Sequence, residues 1–138
     1  MPNVFEYSHV VGPQEIDELG HANNVAYVAW LQAAAVAHSA AQGWPGPRYL
    51  ARGQGWLVRE HTIEYLQPAV AGDQVVVETW VATMERVTSL RRYRVYRRPD
   101  RQLLARAETR WVFVDYASGK PRRIPAEIVQ SFPVVARD

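Results

Sequence analysis

Asp17, Gly20, His21, Asn23 and Asn24 crowd into eight consecutive residues, in the run Asp17-Glu18-Leu19-Gly20-His21-Ala22-Asn23-Asn24-Val25-Ala26-Tyr27. A carboxylate can attack a carbonyl carbon or deprotonate water, and an imidazole can shuttle a proton. A helix start offers unpaired N–H groups and a partial positive charge to an oxyanion. The polar run leads directly into the apolar segment Val25 to Ala37, so it reads as a loop tied to the N-terminus of a buried helix. That geometry suits a reaction in which negative charge develops on an oxygen.

The elements that must position this loop follow from the patterning. Val4 to Val11 is rich in aromatic and β-branched residues and ends at Gly12-Pro13, which predicts a first strand. A helix is predicted from about Asn24 to Gln42, with Asn23 or Asn24 as its cap and Gly43 and Pro45 as its stop. Its circumference is apolar except for Gln32, His38 and Ser39, which implies burial on several sides. Trp44 to Gly55, with its glycines and prolines, reads as a loop with a short helical turn around Arg48 to Ala51.

After that loop the period changes. Trp56 to Leu66, Gln74 to Met84, Thr88 to Arg98 and Leu103 to Asp115 are strand candidates separated by turn signals. They are roughly twice the usual length of about five or six residues, which implies strong curvature. The last alternates Leu103, Ala105, Ala107, Thr109, Trp111 and Phe113 against Leu104, Arg106, Glu108 and Arg110. Gly119-Lys120-Pro121 turns the chain out of the sheet, and Ile124 to Phe132 reads as a short extension with Pro125 at a helix start. The reading is an α+β chain in the order β-α-β-β-β-β: one antiparallel sheet of about five strands wrapped around one long helix.

Composition bounds the function. A length of 138 residues predicts a single domain, 1–138, and 22% charged residues fit an ordinary soluble protein. Met1-Pro2-Asn3 leads straight into polar and aromatic residues, so no secretory leader is expected, and no apolar run is long enough to span a bilayer. The absence of cysteine excludes a disulfide, a thiolate metal site and a Cys nucleophile, and accords with a cytoplasmic location. No G-x-S-x-G elbow or glycine-rich phosphate loop is present, and His9, His21, His38 and His61 lack metal-ligand spacing. Neither a metal nor a cofactor is expected. Eight arginines between Arg91 and Arg110, with Arg122 and Arg123 beyond, suit a solvated face or a phosphorylated small ligand. Without a recognition motif or an aromatic platform, nucleic acid is the poorest of these fits.

The order of elements, with the polar motif at the helix start, resembles the hotdog fold. The motif resembles the 4-hydroxybenzoyl-CoA thioesterase-like acyl-CoA thioesterases, and the wording Gly20-His21-x-Asn23-Asn24 is also similar to the acyl-ACP thioesterases. Further matching pieces are Tyr65-Leu66-Gln67-Pro68, Gly72-Asp73, Trp111-Val112-Phe113-Val114-Asp115 and Gly119-Lys120-Pro121-Arg122. The resemblance implies an acyl-CoA or acyl-ACP substrate, no cofactor, and active sites at the interface of a homodimer or homotetramer. It assigns Asp17 as nucleophile or general base and the amide of Asn24 as the group that polarises the thioester carbonyl.

Around that pair, the amides of Asn23 and Val25 could complete an oxyanion site, and Gly20 allows a positive φ or close approach of a ligand. His21 could shuttle a proton, donate to the thioester or orient Asp17. Tyr27 is expected in the interface or the acyl pocket. Arg91 and Arg122, with Arg92, Arg94 and Arg123, are candidates for the phosphates of CoA as exposed charges. In some hotdog enzymes a glutamate on the central helix does the chemistry; positions 24 to 42 here contain no acidic residue. The rival readings are a hotdog β-hydroxyacyl thioester dehydratase or hydratase using Asp17 with His21, and a non-catalytic acyl-CoA-binding module.

Overall fold

A computed structural model describes residues 3–137; Met1, Pro2 and Asp138, part of the expected span 1–138, lie outside the described residues. Five strands form one antiparallel sheet: β1 (Phe5–Val10), β2 (Gln54–Tyr65), β3 (Gln74–Met84), β4 (Thr88–Arg98) and β5 (Gln102–Asp115), in the spatial order β1-β3-β4-β5-β2. The helices are α1 (Asn24–Ala41), α2 (Gly46–Arg52) and α3 (Ala126–Ser131). No helix among the described residues is long and apolar enough to cross a membrane.

The expected strands are all present, with small shifts at their ends. The segment predicted as a loop with one turn is the complete helix α2. Its prolines and glycines act as caps: Pro45 stands at the N-cap, Pro47 sits in the first turn where an N–H is dispensable, and Gly53 closes the helix at φ 69°.

Burial divides α1 lengthwise. Ala26, Tyr27, Trp30, Leu31, Ala34, Ala35 and His38 face the sheet and are buried. The alanines let the helix approach Val75, Val77, Val95 and Ala105, which are fully buried on the sheet's inner face. Burying side chains of the size of Trp30 and Leu31 stabilises the fold by about 1.5–3 kcal/mol each. The opposite face does not fulfil the expectation of burial on several sides: Val25 is 76% exposed and Val36 54%. Within one chain the sheet covers a single face of the helix.

A second apolar cluster lies under α2 and α3, joining Trp44, Tyr49, Val81, Phe113, Ile124, Ile128 and Phe132. The sheet's parity is broken at three irregularities, at Val58/Glu60, Val81/Thr83 and Val95/Tyr96. The last of these corrects the alternation expected for β5. Val95 pairs with Ala105 and Tyr96 with Leu103, so Leu104 is the extra residue, and it is fully buried rather than outward.

The outer face accounts for three of the arginines between Arg91 and Arg110. Arg92 pairs with Glu108, Arg106 with Glu64 at 2.5 Å, and Arg110 with Glu60 at 3.6 Å, all across neighbouring strands. Such exposed pairs keep the sheet soluble and contribute little to stability.

Candidate active site

The polar run folds back on itself before α1. Ile16 and Ala22 form an antiparallel bridge, the Asp17 N–H donates to His21 O at 2.8 Å, and the Gly20 N–H donates to Asp17 O at 3.1 Å. Gly20 takes φ 81°, the left-handed conformation such a tight reversal requires, and nothing lies within 4 Å of where a side chain would start. The turn sets Asp17 alongside His21, three residues before the helix begins.

The Asp17 carboxylate is exposed and divided in its duties. Its Oδ1 accepts from the N–H groups of Leu19 at 2.9 Å and His21 at 3.3 Å, an Asx-type turn. Its Oδ2 has no hydrogen bond among the described residues. One oxygen therefore fixes the carboxylate while the other is free to attack or accept a proton. The His21 ring has no hydrogen bond among the described residues; His21 meets Asp17 through its main chain.

Asn23 is the helix cap. Its Oδ1 accepts from the Ala26 N–H at 2.7 Å, and its own N–H donates to Glu15 O at 2.8 Å. The Asn23 amide, expected as an oxyanion donor, is thus already engaged. The next two amides, of Asn24 and Val25, have no partner among the described residues. They are the free donors of the helix start.

Glu15, which the motif did not single out, clamps this region. Its carboxylate accepts from His9 Nε2 at 2.7 Å, from the Gly12 N–H at 2.9 Å and from Trp30 Nε1 at 2.7 Å, tying β1, the loop and α1 together. Burial pushes its pKa up, but the hydrogen bonds from Gly12, His9 and Trp30 outweigh this and hold it below the usual value. Tyr27 is 3% exposed and packs on Trp30 and Tyr65 with ring centroids 4.7 and 5.0 Å away. It is core in this chain. The Tyr65 hydroxyl donates to Asn24 O at 3.3 Å, adding a strand-borne tie to the helix start.

A cavity lined mainly by aromatic residues lies elsewhere. About 180 Å³ in volume, it is bounded by the second half of α1, by α2, and by residues of β2 to β5. Its rim carries Gln32, Val36 and Gly46, which are exposed, and its floor the buried Trp44, Val81, Ser89, Arg91 and Phe132. At a rise of about 1.5 Å per residue, Gln32 lies roughly 12 Å along the axis from Asn24. One chain therefore does not bring the loop and this cavity together.

Arg91 corrects the expectation of an exposed phosphate ligand: it is 6% exposed and points inward. Its Nη1 donates to His38 Nδ1 at 2.9 Å and to Thr79 Oγ1 at 3.0 Å. Since guanidinium only donates, His38 accepts at Nδ1 and carries its proton on Nε2. Burial, assisted by the Arg91 charge, lowers the His38 pKa to about 4. Adjacent Arg91 and Arg92 must point to opposite faces of a strand, so parity signalled that one of the two turns inward. Arg122 is exposed, with its N–H on Phe113 O at 2.8 Å, and is well removed in sequence from the loop.

A sequence profile described as the thioesterase-like superfamily matches residues 11–132, nearly the whole of this structure. The chain belongs to that superfamily. Among relatives, the Escherichia coli acyl-CoA thioester hydrolase YbgC is 29% identical over 119 residues, covering 86% of this chain and 88% of YbgC. Among solved structures, the hypothetical protein TT1821 from Thermus thermophilus is 30% identical with a TM-score of 0.85, covering 93% of this chain and 96% of TT1821. Slr0204, a 1,4-dihydroxy-2-naphthoyl-CoA thioesterase from Synechocystis, superposes with a TM-score of 0.86 at 19% identity, over 93% of this chain and 94% of that one. At that identity the likeness establishes the shared curved sheet and central helix. The superfamily's hotdog architecture is thus the one seen here, with the polar loop at the start of its central helix.

Proposed function

We propose that this superfamily member is an acyl-CoA thioesterase in which Asp17 acts on the thioester carbonyl. The observation that carries the reading is the pairing of a fixed carboxylate having one free oxygen, Oδ2, with a helix start offering two free amides, those of Asn24 and Val25. Asp17 either attacks the carbonyl carbon or deprotonates a water that does so. Charge moves onto the carbonyl oxygen, where the helix N–H groups meet it without reorganising. In the water route the CoA thiolate leaves with the proton that Asp17 took from water, releasing the acid. In the direct route the thiolate leaves first and water then cleaves the acyl–Asp17 anhydride, releasing the acid and restoring the carboxylate. The curated relative YbgC, named an acyl-CoA thioester hydrolase, supports this class of substrate.

The working unit in this reading is a homodimer or a tetramer built from one. The exposed apolar stripe of α1 and the unpaired edge of β2, which is 12 residues long, are surfaces a second copy would cover. Antiparallel pairing of two α1 helices would carry the loop of one protomer toward the cavity of its partner. That arrangement overcomes the separation between loop and cavity within a single chain.

The test is thiol release from a panel of short, medium and aromatic acyl-CoAs. Asp17→Asn keeps an acceptor for the Leu19 and His21 amides and removes only the charge. Its kcat is expected to fall by on the order of 10²–10³ with the unfolding midpoint unchanged. Hydrolysis at the wild-type rate by this variant would overturn the mechanism. Crotonyl-CoA, followed by its enoyl absorbance, separates hydrolysis from hydration.

A further inference from the structure

Arg91 places a positive charge in the protein interior where no carboxylate among the described residues pairs with it. Burying an ion is costly unless it is paired, and arginine stays protonated even so. Every outer-face partner described above is a carboxylate, yet Arg91 among the described residues meets only a histidine nitrogen and a threonine hydroxyl. Both bonds leave from Nη1. Nε and Nη2, the edge that grips a carboxylate with two parallel hydrogen bonds, have no acceptor among the described residues.

That edge is not sealed away. Among the described residues Trp111 Nε1 is the buried side-chain nitrogen or oxygen that both lacks a partner and is closed to solvent, so the free nitrogens of Arg91 open onto space. The space is the cavity that Arg91 lines. Around the charge the walls are chiefly apolar and aromatic, with Trp44, Tyr49, Trp56 and Phe132; Ser39 and Ser89 also line them, their hydroxyls donating to Trp44 O and Thr83 O. Apolar walls cannot compensate a guanidinium, but they suit the methylenes of a chain whose far end does. A volume of about 180 Å³ admits a short acyl chain; an apolar cavity of about 150 Å³ already holds benzene.

We infer that the cavity selects a short acyl group ending in a carboxylate, which the Nε–Nη2 edge of Arg91 binds. His38 and Thr79 hold Nη1 and so aim that edge. The inference rests on the thioesterase reading for its substrate, a CoA thioester of a dicarboxylic acid, but the anion site can be tested by itself.

The experiment compares glutaryl-CoA with hexanoyl-CoA, its neutral counterpart of nearly equal length, on wild type, Arg91→Met and Arg91→Lys. Wild type is expected to favour glutaryl-CoA in kcat/KM, and Arg91→Met to lower the glutaryl-to-hexanoyl ratio on the order of a hundredfold. Arg91→Lys keeps the charge but loses the fork, so its ratio falls about tenfold; it also serves if the methionine variant fails to fold. In parallel, tryptophan fluorescence is titrated with free glutarate and with chloride. Saturable glutarate binding that Arg91→Lys weakens supports the site even if no CoA thioester is hydrolysed, an outcome that would sink only the thioesterase reading. A wild-type preference for hexanoyl-CoA, an equal loss on both thioesters, or chloride binding as tightly as glutarate would each overturn the inference.

Discussion

At its start α1 meets a loop held by main-chain hydrogen bonds, whereas its second half faces a cavity made of side chains from α2, from β2 to β5 and from the connections that follow α1, β5 and α3. The loop is largely exposed, and at the helix start it presents one unbonded oxygen of Asp17 and the two backbone amides of Asn24 and Val25, without a partner among the described residues. The cavity is lined mainly by aromatic and aliphatic residues, and Arg91, the one charged group lining it among the described residues, is buried and held by His38 and Thr79. The contrast separates two tasks. Chemistry that needs fixed dipoles can be built from backbone geometry, which a short motif specifies. Selection among acyl groups needs shape and charge at a distance from the reacting bond, which only tertiary packing supplies.

The sharpest way to break this comparison is Asn24→Pro. Proline lacks the N–H in question, yet it suits the first position of a helix, and Asn23 before it already has the extended φ −73°, ψ 161° that a following proline requires. The variant should keep the helix and lose one oxyanion donor, lowering kcat by on the order of 10²–10³. Binding of a non-hydrolysable acyl-CoA analogue, measured calorimetrically, should hold. A kcat within threefold of wild type would mean that the amide does no chemistry.

The cavity end should instead reveal itself through acid. His38 binds its proton at 6.5 when unfolded but only at about 4 in the folded chain, because burial and the Arg91 charge oppose the cation. Between those values the unfolded state binds more protons, so stability falls as pH falls. The loss from pH 7 to pH 4 is on the order of 3 kcal/mol. Urea unfolding at a series of pH values measures it, and His38→Gln, which still offers Arg91 an acceptor, should flatten the slope above pH 4.5. Below that value Glu15 adds its own loss: its folded pKa is depressed, so its stabilisation is present above 4.5 and disappears as the carboxylate protonates.

The same contrast governs what could be read from the amino-acid sequence. The Asp17–Tyr27 run was legible because its residues act within a few positions of one another, and the strands because their alternation is local. Arg91 was not legible as a buried group. Strand parity says that Arg91 or Arg92 turns inward, but the choice depends on register, and the irregularities at Val81/Thr83 and Val95/Tyr96 shift register along β4. Leu104 was misplaced for that reason. Helix α2 was hidden because Pro45, Pro47 and Gly53 are loop residues by composition and caps by position. The Glu15 clamp joins residues 6 and 15 positions apart, beyond the reach of any spacing rule.

The smallest effect tests what Gly20 is for. At φ 81° an alanine would adopt a left-handed conformation that costs about 1 kcal/mol relative to glycine, and no steric clash adds to it because the surrounding space is open. Asparagine tolerates this conformation better, so Gly20→Asn should recover much of the stability that Gly20→Ala loses, read as the urea midpoint. Activity then decides between two roles for the same glycine. If only the turn matters, Gly20→Asn regains the wild-type rate along with its stability. If substrate passes over the bare backbone, the asparagine variant is stable and slow, because the side chain fills space the ligand needs. The second result would extend the backbone-built end of the site to its steric boundary and deepen its contrast with the side-chain-built cavity.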